Sequence, residues 1–324
     1  MVRYNLIKSK LNGPIFSIIT GFNSKGQLDI KNTIKYIDYL YSRGATNFYL
    51  MVYNSRLGLL NESEILKLHK ECITNIKKLN KSNIVIAAEP YHTSTKQSIE
   101  YISKFKKMGA DLVSVIFGEK FYSEIQVLKH FKEINKKSNL PLLLHQQILE
   151  NGLGATPPNV FYPLTLLNKI SKLEKFIAMK EDAKNETYTR NICINNSKNL
   201  IIITSGSGKR QWLEANKYGC QSWLSGISNL DPLIALDFFN AKKNNNHKFI
   251  KLLLQKLEDP FFEVKKKFGW HLTIKSSLEH LGLMSRFERM PLLALSKRDH
   301  NAVGQMIKQL RKNNQKYFEG RYFN

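Results

Sequence analysis

A lysine that ends an apolar strand and is sealed from water can shed its proton near neutral pH and attack a carbonyl carbon. Lys180 has that setting. It closes the run Lys175-Phe176-Ile177-Ala178-Met179-Lys180 and is followed by Glu181 and Asp182. Side chains alternate along a strand, so Phe176, Ala178 and Lys180 share one face and Ile177 and Met179 the other. If the first face lines a core, Lys180 is desolvated and nucleophilic. If it does not, Lys180 is a strand-end lysine paired with Glu181 or Asp182, or one facing solvent. Other polar residues end apolar runs in the same way: Thr20, Tyr53-Asn54-Ser55-Arg56, Glu89, Phe117-Gly118-Glu119, His145-Gln146-Gln147, Ser205-Gly206 and Ser225-Gly226. No set of His, Cys and acidic residues has metal-ligand spacing.

The elements that must position these residues alternate. Strands are expected at residues 15–20, 47–53, 84–88, 111–117, 141–145, 175–180, 200–205 and 221–225. Helices are expected at 30–41, 62–79, 95–108, 123–136, 161–172 and 211–217, the second opened by Asn61 with Glu64 as a capping-box variant. Several strands are continuous apolar runs, as in parallel strands covered on both faces. Eight strands interleaved with helices predict a (β/α)8 barrel, and barrels of this kind carry their sites at the C-terminal strand ends. An open doubly wound sheet is disfavoured, because no strand is followed by a nucleotide-binding glycine fingerprint; Gly206-Ser207-Gly208-Lys209 lacks P-loop spacing and reads as a tight turn. From Pro232 to Lys316 the pattern is helical only. Residues 1–230 are therefore expected to form the barrel, and 231–324 a helical extension packed on it.

With 324 residues and 42% hydrophobic content, the chain can bury one large core. No apolar run is long enough for a membrane span, and the first residues lack a signal-peptide pattern. Cys72, Cys193 and Cys220 are scattered and odd in number, and read as reduced thiols of a cytoplasmic protein. The formal net charge of +24 is spread along the chain without interleaved stacking aromatics. It reads as solvated helix faces, and a nucleic-acid partner is not expected.

The sequence resembles the N-acetylneuraminate lyase and dihydrodipicolinate synthase family of class I aldolases. The resemblance runs through Ile19-Thr20-Gly21-Phe22 with Gly26 and Asp29, Gly44-Ala45, Leu60-Asn61-Glu62-Ser63-Glu64 and Gly109-Ala110-Asp111. It continues in Ile177-Ala178-Met179-Lys180-Glu181, Ser205-Gly206, Gly219, Leu224-Ser225-Gly226-Ile227-Ser228-Asn229, Leu281-Gly282-Leu283 and Arg289-Met290-Pro291-Leu292. It implies a (β/α)8 TIM barrel with C-terminal helices, a homo-oligomer (tetramer or dimer), a small-molecule carbonyl substrate, no cofactor, and a Schiff base on Lys180.

The departures from that pattern are specific. Where the family has Gly-x-x-Gly-Glu after the second strand, this chain has Val52-Tyr53-Asn54-Ser55-Arg56. Asn54, Ser55 and Arg56 become the candidates for an anionic group, Arg56 by a bidentate pair, and Ser205 and Leu224 complete the expected substrate-binding set with Tyr53. His145 stands where the family has its proton-relay tyrosine; it is either a substituted proton carrier or a buried histidine with a structural hydrogen bond. Tyr53 is a second candidate carrier. The family's tyrosine after the fourth strand falls at Gly118 or Glu119, with Tyr122 nearby, and Glu150 occupies the place of an arginine. The segment 154–163 is longer than the family's usual connection. These features imply a Schiff-base lyase or aldolase for a 2-oxo acid or a sugar-derived carbonyl, and not a standard dihydrodipicolinate synthase. The alternative is a family member that binds a small ligand in the barrel without aldolase chemistry.

Overall fold

The computed structural model describes residues 2–92, 94–117, 123–146, 161–183, 185–205, 208–224 and 226–318. Helices and strands alternate as α1 (Val2–Lys10), β1 (Gly13–Ser17), α2 (Ile30–Ser42), β2 (Asn47–Leu50), α3 (Glu62–Leu79), β3 (Ile84–Ala88), α4 (Thr95–Met108), β4 (Leu112–Ile116) and α5 (Glu124–Lys137). They continue as β5 (Leu142–Gln146), α6 (Leu164–Ile170), β6 (Phe176–Glu181), α7 (Glu186–Asn196), β7 (Ile201–Thr204), α8 (Gly208–Asn216) and β8 (Ser222–Leu224). After β8 the chain is helical: α9 (Leu233–Lys243), α10 (His247–Leu253), α11 (Asp259–Phe268), α12 (Trp270–His280) and α13 (Lys297–Asn313).

The eight strands hydrogen-bond in chain order into a closed barrel. The ladders from β3 through β8 are parallel, and β8 returns to β1, also in parallel, through Gly13↔Ser222 and Ile15↔Leu224. This is the (β/α)8 TIM barrel that the alternation predicts. Strand side chains are almost all buried, which is why the strands read as continuous apolar runs.

Two helices, α1 and α7, have no counterpart in the pattern reading. The α7 sequence Glu-Thr-Tyr-Thr-Arg-Asn-Ile-Cys-Ile-Asn-Asn is made largely of poor helix formers. It forms because Asn185 caps its first turn and because Ile192 and Cys193 are buried. The first strand ends at Ser17, so Ile18 to Thr20 leave the ladder before the expected boundary.

Contact density divides the chain into two compact units. One comprises residues 1–15, 49–52 and 84–224; the other comprises residues 16–48, 53–83 and 225–324. Within the second, α2 is tied to the segment after β8. Tyr36 and Tyr39 hydroxyls donate to the carbonyls of Asn229 and Leu230 at 2.9 and 2.7 Å, and Arg43 pairs with the buried Asp231 at 2.7 Å. Glu64 has a double duty there. It completes the capping box with Asn61 and takes a two-pronged bond from Arg289 at 2.7 and 2.8 Å. Asn61→Ala should cost about 0.5–2 kcal/mol by loss of the cap, read as a lower denaturation midpoint with an unchanged m value.

The basic charge has a structural outlet. Helices α3, α4 and α5 each end on two lysines, Lys77 and Lys78, Lys106 and Lys107, and Lys136 and Lys137, where a positive charge complements the helix dipole. Among the described residues no helix is long and apolar enough to cross a membrane.

Candidate active site

The strands β5 and β6 run side by side with His145 in register with Lys180. Both side chains are fully buried, and Lys180 Nζ lies 3.0 Å from His145 Nε2. Asp182, one residue past the end of β6, puts Oδ2 at 2.9 Å from Lys180 Nζ and 3.7 Å from His145 Nε2. Its other oxygen, Oδ1, accepts from Ser205 Oγ at 2.7 Å, just beyond β7. Three adjacent strand ends thus converge on one carboxylate.

The neighbours of Lys180 fix which way it points. Glu181 accepts from Thr189 Oγ1 of α7 at 2.9 Å, so its side chain faces the helical layer. Lys180, one residue earlier, must then face the barrel interior. Tyr49 on β2 is fully buried, and burial raises its phenol well above the ordinary value. Tyr49 itself is anchored to Ser114 of β4 at 2.6 Å. Phe176 does not share the inward face as strict alternation requires. Its ring meets Phe131 of α5 edge-on at 5.7 Å, and the β5–β6 register slips between Leu142↔Phe176 and Leu143↔Ala178. The extra β6 residue at that slip breaks the two-residue period.

The electrostatics follow from burial around one charge pair. Burial, and then the Lys180 ammonium, push the His145 imidazole down to about 4, so it is neutral at pH 7. Burial alone would raise the Asp182 carboxyl. The Lys180 ammonium and the bonds from His145 and Lys180 more than offset this and hold it well below the usual carboxylate range. Of the settings open to Lys180 in the sequence, pairing with Glu181 and exposure to solvent are both excluded, and Asp182 is its acidic partner. Glu181 is turned outward, where burial raises its carboxyl.

The expected substrate-binding residues are placed differently. Ser205 joins the lysine cluster through Asp182, and Leu224 is a buried apolar residue ending β8. The segment Tyr53–Arg56 belongs to the other compact unit. There Tyr53 is 41% exposed, and Asn54 Nδ2 donates to Ser17 Oγ at 2.8 Å. Ser55 is buried; its hydroxyl donates to the Ile18 carbonyl at 2.7 Å, and its own carbonyl accepts from Thr20 Oγ1 at 2.6 Å. Its one donor is therefore spent on backbone. Arg56 adopts a left-handed backbone (φ 53°), and burial lowers its guanidinium from the ordinary value against the pull of Glu288. Gly118, Glu119, Tyr122, Gln147, Glu150, residues 154–160, Gly206 and Ser225 lie outside the described residues.

The pairing of Lys180 with Asp182 is one of the settings the sequence offers; that the same carboxylate also meets His145 and Ser205 is not. A second feature escaped the sequence reading, a buried set from the C-terminal helices: Lys275 Nζ donates to the Thr20 carbonyl at 3.0 Å, stands 3.7 Å from Glu288 Oε1, and that oxygen is 2.8 Å from His271 Nε2. Burial pushes Lys275 down to about 8, with Glu288 pulling the other way. Lys275 and Thr20 are 255 residues apart in sequence, so spacing holds no signal for the pair.

Known proteins resemble the chain over nearly its whole length. It is 22% identical over 306 residues to the 4-hydroxy-tetrahydrodipicolinate synthase of a Psychrobacter species, covering 93% of this chain and 95% of that one. It is 25% identical to that of Pseudomonas putida over 305 residues, 92% of this chain and 97% of that one. The crystal structure of dihydrodipicolinate synthase from Oceanobacillus iheyensis superposes with a TM-score of 0.81 at 16% identity, covering 95% of this chain and 99% of that one. A prophage protein of the dihydrodipicolinic acid synthase family from E. coli K12, solved in complex with pyruvate, superposes with a TM-score of 0.77 at 17% identity, covering 93% and 98%. The profile of the dihydrodipicolinate synthetase family itself matches residues 10–310, from the end of α1 into the last helix. A match of that extent, on a closed eight-stranded barrel with a buried lysine at the end of β6, places the chain in the dihydrodipicolinate synthetase family of aldolase-type lyases.

Proposed function

We propose that the protein is an imine-forming lyase or aldolase for a 2-oxo acid or a sugar-derived carbonyl compound, with Lys180 as nucleophile and His145 as proton carrier. The observation that carries this reading is the 3.0 Å contact between Lys180 Nζ and His145 Nε2, two buried bases on adjacent strand ends. A neutral imidazole that close can accept the ammonium proton and release the amine for attack. The iminium that follows is an electron sink for breaking or making a carbon–carbon bond, or for loss of water. The replacement of the family's strand-five tyrosine by His145, and of its glycine-rich segment by Val52–Arg56, supports a substrate other than that of standard dihydrodipicolinate synthase. The working form is assigned as a homo-oligomer, a dimer or tetramer.

The test is chemical trapping. Incubation with pyruvate and a panel of 2-oxo acids and sugar-derived carbonyls, followed by borohydride, should leave covalent mass on Lys180 in a mapped digest. Absence of an adduct with every compound, in folded protein, sinks the reading and favours a ligand-binding barrel, for which the tight Lys180–Asp182 pair is the supporting observation. His145→Gln should slow trapping about 10²–10⁴-fold while leaving the adduct on the same lysine.

A further inference from the structure

We propose that Asp182 is a catalytic carboxylate of this site, the fixed counter-ion of a single positive charge that resides in turn on the Lys180 nitrogen, the His145 imidazole and the iminium. The proposal rests on the reading of Lys180 as the imine-forming amine. Its geometric basis is a triangle of short sides: Asp182 Oδ2 to Lys180 Nζ 2.9 Å, Lys180 Nζ to His145 Nε2 3.0 Å, and Asp182 Oδ2 to His145 Nε2 3.7 Å. One carboxylate oxygen therefore faces both bases. The other is held by Ser205 Oγ, so the carboxylate is aimed from β7 as well as from its own strand.

The chemistry conserves that charge. The Lys180 ammonium gives a proton to His145 Nε2, leaving a neutral amine and an imidazolium beside the same carboxylate. The amine lone pair forms a C–N bond to the substrate carbonyl carbon, and the carbonyl π pair moves to oxygen, which takes the proton back from His145. A second proton leaves the nitrogen for His145 and passes to the new hydroxyl as its C–O bond breaks and water departs. In sum, carbonyl plus ammonium becomes iminium plus water, with one positive charge on each side and no net proton taken up. A buried carboxylate that begins paired to an ammonium thus ends paired to an iminium. Charge of either sign without a partner is expensive in such a place, and every state on this path has its partner.

The titratable and charged groups that face Asp182 among the described residues are Lys180 on its own strand, His145 from β5 and Tyr49 from β2, with Glu181 acting from the opposite face of β6. Glu181 cannot substitute, because its carboxylate is engaged by Thr189 and the Ala183 backbone N–H on the helical side.

The test is the full-length Asp182→Asn variant, read in two ways. In the free protein, ¹³C NMR of the Lys180 ε-methylene, assigned by its absence in Lys180→Met, should show the lysine titrating about 1–3 pH units lower than in the wild type. With pyruvate, the pH profile of borohydride-trapped imine should move downward with it, and the fraction trapped at saturation should fall about tenfold or more. Should Asp182→Asn fail to fold, Ser205→Ala, which frees the carboxylate from its aim, must move the lysine in the same direction by a smaller step. A wild type that traps pyruvate alongside an unmoved Lys180 midpoint in these variants overturns the role of Asp182 alone. A wild type that traps no carbonyl compound overturns the imine reading and this role with it. A merely structural Asp182 would lower stability and leave both pH profiles where they are.

Discussion

Lys180→Met should abolish imine trapping completely and, in the same molecule, turn His145 into a basic group. Methionine nearly matches the lysine stem in volume, so the cavity cost is small. What remains is electrostatic. Asp182 keeps its bond from Ser205 but loses the ammonium 2.9 Å away. Removing one member of a buried pair typically costs about 3–5 kcal/mol. The lower end applies here, because the Asp182 side chain is 19% exposed and retains Ser205. His145 limits the loss at acidic pH. Of the forces on its imidazole, burial and the Lys180 charge lower it to about 4, whereas Asp182 raises it. Deleting Lys180 removes one of the two lowering causes and leaves the raising one, so the folded-state pKa climbs from about 4. A histidine whose folded pKa lies below its unfolded value of about 6.5 costs stability as pH falls, and raising the folded value shrinks that cost. The stability deficit of Lys180→Met relative to the wild type should therefore be smallest near pH 5 and widen toward neutrality. Paired urea titrations across that range check it. A deficit independent of pH would mean that His145 does not take over the carboxylate.

The barrel was legible because its strands are buried on both faces and its helices carry periodic apolar stripes, so local pattern and final burial coincide. Lys180 was legible as the polar end of such a strand. Its orientation was not secured by alternation: the β5–β6 slip turns Phe176 to the helices, and what fixes the lysine inward is Glu181 facing out to α7. Asp182 stood in plain view two residues on, yet its direction depends on Ser205 from a neighbouring strand end, which only closure of the sheet brings near. The placement of Ser55 shows the reverse case. A hydroxyl well positioned by spacing to meet a ligand is spent on the Ile18 carbonyl, because the chain leaves the β1 ladder at Ser17 and its backbone groups need partners.

The Lys275 cluster, wholly silent in the sequence, gives the clearest pH signature. Its ammonium is buried against the Thr20 carbonyl, with Glu288 Oε1 at 3.7 Å and the ring of Phe22 5.6 Å from the nitrogen. Burial dominates and lowers its pKa from 10.5 to about 8, opposed by Glu288 and Asp29 and assisted by Arg56. In the unfolded chain the same lysine titrates near its ordinary value of about 10.4. Between these two values the unfolded state holds more protons than the folded one, so stability contributed by this group rises with pH across that window. Below about pH 8 the full cost of burying the charge is present; above about pH 10.4 it is gone. A difference of about 2.4 units at 1.36 kcal/mol each sets the rise at about 3 kcal/mol. Lys275→Met removes the titrating group, so the difference in unfolding free energy between wild type and variant should shift in favour of the wild type by about that amount from pH 7 to pH 10.5. Other lysines titrate in both proteins and cancel in the comparison. A constant difference across the range would show that Lys275 is not held at low pKa, and that its ammonium is satisfied by Thr20 and Glu288 as fully as by water.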